Sequence, residues 1–296
     1  MIKKIYGCVL RVLTAVCGID FAKQFDGYLR FRRKLNLKNP QTLSDKVTYL
    51  FLHRITPLMS ACTDKWAVRD YVAGKGLGDI LIPAAGGPWS RSEDIDFAAL
   101  PEKFIFKATH GCKMNYPVKA KSKLNQAACK RTLEKWLRTT YGSFSLEPHY
   151  KAIPPRIYAE ELLDVPNGLI DYKFHCTNGE PQFVLVCRDR HLGADGSMHA
   201  TLELFDCNWN SYCSEVLPPC QPTQPAPSQL KRMVEVSRIL AADFPFVRVD
   251  LYEVNGKIYF GELTFSPASG LFGHFSDAFI TEMGKRLTLP EPKHDR

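Results

Sequence analysis

Apolar positions along this 296-residue chain follow two periods. From the N-terminus to about residue 75 they recur three to four apart, the spacing of one helix face. In "MIKKIYGCVLRVLTAVCGIDF" the residues Ile5, Val9, Val12, Leu13 and Val16 share a side. "NPQTLSDKVTYLFLHR" sets a proline and a Thr/Ser cap ahead of a periodic run, and "TDKWAVRDYVAGKGLG" ends in the glycines that suit a helix stop. After that the spacing shortens. "DILIPAAGGPW" reads as a short strand followed by a Gly/Pro loop, and "LPEKFIFKATHGCKMNYPVKAK" offers strands at 103–109 and 115–120 across a tight polar loop. Residues 122–141 read as helix. "RIYAEELL", "DYKFHCTNGEPQFVLVCRDR" and "VRVDLYEVNGKIYFGELTFSP" supply further strands. The proline-rich piece at 217–229 is a loop, and "LKRMVEVSRILAADF" after it is an amphipathic helix. Hairpins outnumber strand–helix–strand units, so the fold class is α+β with antiparallel sheets.

A chain of this length holds one large core or two to three subdomains. An apolar content of 45% and a mean hydropathy of -0.20 are ordinary for a globular protein. The net charge of +8 suits an anionic partner. That charge reads as dispersed, with no dense Lys/Arg tract or nucleic-acid motif, which argues against DNA or RNA. Ten cysteines without a Cys-x-x-Cys pair read as reduced thiols of a cytoplasmic protein, and the spacing of Cys207, Cys213 and Cys220 is wrong for a zinc knuckle. The N-terminal apolar run is split by Arg11 and too short to span a bilayer. A helix packed on the domain is expected there; an interfacial helix at the inner face of the membrane is the alternative.

The chemistry gathers on the last hairpin, where Asp250 and Glu262 flank the turn signal Asn255-Gly256. A two-residue turn would pair 250 with 261 and put the acids on opposite faces. A three-residue turn, 254–256, pairs 250 with 260 and sets them diagonally on one face, which is the expectation here. Two such carboxylates repel unless a cation lies between them, and oxygen ligands of this kind suit Mg²⁺ held together with phosphate oxygens. Arg248, two residues earlier, points the same way and suits phosphoryl charge.

These stretches resemble the ATP-grasp superfamily, and within it the TupA-like branch, linked to teichuronopeptide and surface polysaccharide synthesis. The resemblance rests on "NPQTLSDK", "DKWAVRDYV", "LPEKFIFKATHG", "IYAEELL", "DYKFHCTNGEP" and "RVDLYEVNGKIYFGELTFSP", in that order, and runs from about residue 28 to 285. It implies two α+β subdomains gripping ATP: a lid at 101–158 and a C-terminal subdomain at 159–296, after a helical region at 1–100. Lys65 and Lys107 would contact ATP phosphates, and the loop of His110 and Gly111 would close over them. Glu160, Glu161 and Leu162 fall at the hinge that meets adenine and ribose. Lys173 resembles a further nucleotide contact, while Asp171 would face ribose or cap its strand. Asp250 and Glu262 would hold Mg²⁺ together with Thr264, which stands where relatives carry asparagine. Lys113 stands in the lid loop where many relatives have a glycine-like residue. Arg188 and Arg190 lie where an acceptor carboxylate or acyl phosphate would bind, completing a catalytic set with Lys107 and Arg248. The implied reaction is ATP-dependent amide formation between a carboxylate, such as a uronic acid of an acidic saccharide, and an amine or amino acid. A sugar kinase, a glycosyltransferase or a non-catalytic nucleotide-binding scaffold are the alternatives.

Overall fold

The structure, a computed structural model, describes residues 2–141, 146–166, 168–192 and 198–291. Five helices come first: α1 (Ile2–Cys17), α2 (Ile19–Phe31), α3 (Leu43–His53), α4 (Pro57–Thr63) and α5 (Val68–Gly74). The start of α3 follows from its cap. Thr42 Oγ1 accepts the Asp45 N–H at 3.1 Å while the Asp45 carboxylate accepts the Thr42 N–H at 3.0 Å, so two otherwise orphaned donors are satisfied reciprocally. "TDKWAVRDYV" begins as a turn rather than a helix, because Asp64 accepts the N–H groups of Trp66 and Ala67 before α5 starts.

The face that α1 buries differs from the one the periodicity suggests. Leu10 is buried, with Leu13 and Tyr6 beside it in a small core with Ala22 and Leu146. Val9, Val12 and Val16 are exposed instead. Ile5 belongs to the expected face, but its side chain lies outside the described residues.

Two antiparallel sheets follow. The first has the order β1-β4-β2-β3, from β1 (Ala84–Trp89), β2 (Phe104–Ala108), β3 (Asn115–Val118) and β4 (Ile157–Glu161). Along β2, Phe104, Phe106 and Ala108 turn to a core under α6 (Gln126–Leu137), and Ile105 and Lys107 turn the other way. Strand β1 lies on the Gly/Pro stretch expected to be a loop, while the expected strand before it forms a 3₁₀ turn at Gly78–Ile80. An edge strand with register shifts tolerates Pro88, and a Cβ at Gly87 would sit 2.9 Å from the Cα of Tyr158.

The second sheet has the order β7-β6-β5-β8-β9, from β5 (Asp171–Thr177), β6 (Glu180–Leu192), β7 (Met198–Phe205), β8 (Phe246–Val254) and β9 (Lys257–Thr264). The helix α7 (Leu230–Ala241) packs on β5, β6 and β8, and α8 (Asp277–Lys285) packs on α3. Central β5 is buried throughout. Its Tyr172, Phe174 and Cys176 join the large apolar core, so Asp171, Lys173 and His175 turn to the opposite face. All ten cysteines are free thiols, five of them buried.

Candidate active site

The last hairpin brings its two acids together by a route the spacing did not suggest. Asn255 (φ 53°) and Gly256 (φ 73°) make a two-residue turn, with Val254 opposite Lys257 and Leu251 opposite Phe260. The register then shifts by one at Gly261. Asp250 therefore faces Glu262 directly, and Arg248 faces Thr264. This corrects the expected three-residue turn: a β-bulge supplies the extra residue instead. Glycine suits the position, since a Cβ on Gly261 would lie 3.0 Å from both the Asp250 carbonyl oxygen and the Tyr252 ring.

Across β5, Lys173 lies opposite Asp250, so Lys173, Asp250 and Glu262 form one row over three strands. Asp250 is 1% exposed. It accepts hydrogen bonds from Lys173 and, in two-pronged fashion, from Arg248 at 2.6 and 2.7 Å. Arg248 Nη2 also donates to Glu262 at 3.2 Å and to the Thr264 hydroxyl at 3.0 Å. Thr264 in turn donates to Glu262 at 3.1 Å. Burial pushes the Asp250 carboxyl up, but Arg248 and Lys173 outweigh it and hold it below the usual carboxylate range. Glu262 follows the same pattern: burial and Asp250 raise it, while Lys65, Arg248 and Lys173 prevail and lower it. Both acids are therefore ionised at neutral pH. Asp171 is pushed up by burial, with Lys173 and Arg190 opposing.

The first sheet forms the facing wall. Lys107 pairs with the buried carboxylate of Glu160. Lys65 donates to the Gly111 carbonyl at 2.7 Å and lies 3.7 Å from Glu262, which ties the lid loop to the hairpin. Lys113 sits in the left-handed region (φ 61°), a conformation glycine adopts without steric cost, and it lines the cleft. Between the two walls lies a cavity of about 850 Å³, within the range of small-molecule sites. Lys65, Lys107, Lys113, Lys173, Arg190 and Arg248 line it, facing Asp171, Asp250 and Glu262.

Several expected site residues lie elsewhere. Arg188 is held by Glu203 at 2.8 Å and by Thr223 at 2.6 Å, away from the cavity lining, whereas Arg190 reaches it and pairs with Asp171. The ring of His110 bonds to the Trp136 carbonyl at 3.0 Å on α6, so only its backbone belongs to the lid loop. Glu161 is exposed, because successive residues on β4 point to opposite faces and Glu160 takes the inward one. Leu162 follows β4 and does not line the cavity.

The N-terminal helices add cleft residues that no sequence motif marks. Tyr6, Leu10, Asp26 and Arg30 from α1 and α2 close one side of the cleft. The Tyr6 hydroxyl donates to Asp26 at 2.6 Å, and the fully buried Lys23 donates to Asp26 at 3.1 Å and Ser269 at 2.8 Å. The available signal was an i,i+3 pair of opposite charges, Lys23 and Asp26, inside an apolar helix face. The loop after β9 carries two successive left-handed residues, Ala268 (φ 50°) and Ser269 (φ 58°), and Ser266 donates to Glu147 on the cavity wall. Such backbone costs on the order of 1–3 kcal/mol per residue and persists where its surroundings hold it.

The donor set fits Mg²⁺ with a polyphosphate. Among the described residues no three His, Cys, Asp or Glu converge as a closed metal site. Two ionised carboxylates and a hydroxyl on one sheet face suit an ion that takes one or two protein carboxylates and fills its shell with phosphate and water. The surrounding lysines and arginines suit the phosphates themselves.

Two antiparallel sheets closing on a cleft rich in lysine and arginine, with paired acids on one hairpin, are the ATP-grasp arrangement, whose cofactors are ATP and Mg²⁺. The chain belongs to the TupA-like ATP-grasp family, whose family model matches residues 45–288. Solved structures with a related arrangement include D-alanine–D-alanine ligase from Bacillus anthracis, at 12% identity and TM-score 0.48, covering 77% of this chain and 64% of that one. D-cycloserine synthetase is 17% identical at TM-score 0.47, covering 78% and 72%. Phosphoribosylamine–glycine ligase from Thermotoga maritima is 13% identical at TM-score 0.45, covering 75% and 52%. The chain thus spans less than two thirds of the length of the D-alanine ligase. No curated protein matches.

Proposed function

We propose that the protein is an ATP-dependent carboxylate–amine ligase that joins an amine or amino acid to a uronic acid of an acidic saccharide in surface polysaccharide synthesis, such as capsule. ATP with Mg²⁺ would supply the phosphoryl group that converts the carboxylate into an acyl phosphate, from which the amine displaces phosphate. The observation that carries this reading is the Asp250–Glu262 pair set directly opposite across the bulged hairpin, with Arg248, Lys173 and Lys65 around it.

In this reading Asp250, Glu262 and Thr264 hold the metal, while Lys65, Lys107 and Lys173 hold the nucleotide phosphates. Arg248 stays charged, because its neighbouring carboxylates outweigh its burial, so it keeps a fixed positive charge beside the reacting phosphoryl group. Arg190, at the cavity edge, positions the acceptor carboxylate. Closure of the 109–114 loop excludes water, which would otherwise hydrolyse the activated carboxyl. No side chain need act as a nucleophile; Cys112 shares a hydrogen bond with Tyr141 and serves the loop.

Three parts carry these roles: a helical N-terminal region at 1–100, a lid at 101–158, and a C-terminal subdomain at 159–296 with the hairpin. The protein would work in the cytoplasm, with a peripheral membrane contact through its N-terminal helix. Among the described residues no helix is long and apolar enough to cross a membrane. A nucleotide-sugar transferase is disfavoured by position, since the Asp-x-Asp spacing at Asp94 and Asp96 falls in an exposed turn before β2.

The test is incubation with ATP, Mg²⁺, free and polymeric uronic acids and an amino-acid pool. A new amide mass with matching ADP release is expected. A phosphorylated sugar without amide would turn the reading to a kinase, and ATP binding without ADP release in any mixture would leave a scaffold.

A further inference from the structure

The outer side of α1 is apolar and uncovered among the described residues. Val9, Val12 and Val16 are 40%, 61% and 77% exposed, and Cys8 and Ala15 beside them are exposed as well. Positions 8, 9, 12, 15 and 16 fall within an arc of about 120° on a helix wheel. On α2, Phe21, Tyr28 and Leu29 are also nearly half exposed. Six such side chains on two consecutive helices exceed the scatter of single apolar residues that any surface shows.

Charge concentrates in the same place. Residues 1–38 hold nine Lys and Arg against two acidic residues, a net of +7 out of the +8 of the whole chain. The positive charge is therefore not dispersed as expected but gathers at this end, with Lys3-Lys4 and Arg32-Arg33-Lys34 as short runs. Arg11 on α1 and Arg32, Lys34 and Lys38 just after α2 are exposed. An apolar stripe flanked by basic groups, on a 16-residue helix too short to cross a bilayer, is the pattern of a helix that lies in the interface.

We propose that α1 and α2 seat the protein on an anionic lipid bilayer. Val9, Val12, Val16 and Phe21 enter the headgroup boundary, and the basic residues meet lipid phosphates. This deepens the membrane contact and acceptor reading above and rests on them for its consequence. The inner side of α1 contributes Tyr6 and Leu10 to the cleft wall, and α2 contributes Asp26 and Arg30. The cleft therefore lies about one helix diameter, ~10 Å, from the bilayer surface. An acidic saccharide carried on a lipid anchor reaches that wall without leaving the membrane.

The test is co-sedimentation of the whole protein, without nucleotide, with vesicles of phosphatidylcholine alone or mixed with phosphatidylglycerol. Binding to the anionic vesicles is expected to exceed that to neutral ones by about tenfold or more and to weaken as salt is raised. Val12→Asp/Val16→Asp is expected to lose it with an unchanged cooperative thermal melt, and Arg32→Glu/Lys34→Glu to weaken it severalfold. Absence of wild-type binding to anionic vesicles, or full binding by folded Val12→Asp/Val16→Asp, overturns the proposal. So does a dimer that this double variant dissociates without any vesicle binding, which would assign the face to a second copy. Because no ATP is present, failure of the ligase reading leaves this result standing, and the reverse also holds.

Discussion

Lys107 and Glu160 are diagonal neighbours on the cleft face of the first sheet, and they form an ion pair there. Glu160 is 4% exposed, so Lys107 serves as its counter-ion as well as lining the cavity. Lys107→Met is expected to destabilise the protein by about 3 kcal/mol, because it leaves a buried carboxylate unpaired. ATP affinity should fall by about 1.5–3 kcal/mol, the scale of a charge-assisted hydrogen bond. Adding Glu160→Gln should restore most of the stability and none of the affinity. Urea unfolding and calorimetric titration of ATP–Mg²⁺ separate the two effects. Recovery of both in the double variant would reduce Lys107 to a structural counter-ion.

Gly261 is the residue that makes Asp250 face Glu262. Gly261→Ala brings a methyl group to 3.0 Å from the Asp250 carbonyl oxygen and the Tyr252 ring, so one strand must shift. The expected cost is about 1–3 kcal/mol of stability, as for other overpacked positions. Because the shift acts on the metal-facing register, the Mg²⁺ concentration for half-maximal turnover should rise more than the KM for ATP. Unchanged stability and unchanged Mg²⁺ activation in this variant would mean that the bulge does not depend on the missing side chain.

The pairing of Asp250 with Glu262 was legible because alternation along β8 and β9 is strict everywhere except at one residue. That exception was not legible: a glycine inside a strand does not announce whether it bulges, and two errors in turn length and register happened to cancel. Strand β1 was hidden because Gly86, Gly87 and Pro88 carry the chemistry of a loop, and its place at a sheet edge depends on pairing with β4, about 70 residues away. Helix α1 was found but rotated, with Leu13 of the expected face packed inward and its three valines exposed. Valine and leucine score alike in a periodicity, and only packing against Ala22 and Leu146 selects the side with Leu10. The cleft wall built by Tyr6, Asp26 and Arg30 is a tertiary product of the same packing.

The two hairpin acids should separate in their effects. Asp250→Asn leaves Arg248 and Lys173 buried with excess positive charge, and a loss of about 3–5 kcal/mol in stability is expected. Glu262 is more open, with 33% of its side chain exposed, and Glu262→Gln keeps oxygen and nitrogen within reach of Arg248 and Thr264. Its stability cost should stay within about 1 kcal/mol. Turnover in Glu262→Gln should nevertheless fall by about a hundredfold or more, with ATP binding changed less than about tenfold, since it removes a metal-facing charge and leaves the lysines in place. Turnover near that of the unaltered protein in Glu262→Gln would remove the hairpin from the chemistry.

Four histidines shielded from solvent, His110, His149, His175 and the half-buried His274, set the response to acid. Burial holds His149 down at about 3 and His274 at about 4, and it holds His110 below and His175 well below the ordinary value. In the unfolded chain each would titrate near 6.5. As pH falls below that value the unfolded state takes up protons that the folded state refuses, so stability is lost from about pH 6.5 downward. Each histidine contributes up to about 1.4 kcal/mol per pH unit. Asp250 and Glu262 are held below the ordinary carboxylate range, so they add to this loss only below about pH 4. His149 Nδ1 is buried without a hydrogen-bond partner among the described residues, while its Nε2 lies 3.3 Å from the Ser266 hydroxyl. His149→Gln should therefore lower the slope between pH 6 and 5 by about one quarter, whatever it does to stability at pH 7. Urea unfolding at pH 7, 6 and 5 measures this, and a slope identical to that of the unaltered protein would mean that His149 is protonated or accessible in the folded state.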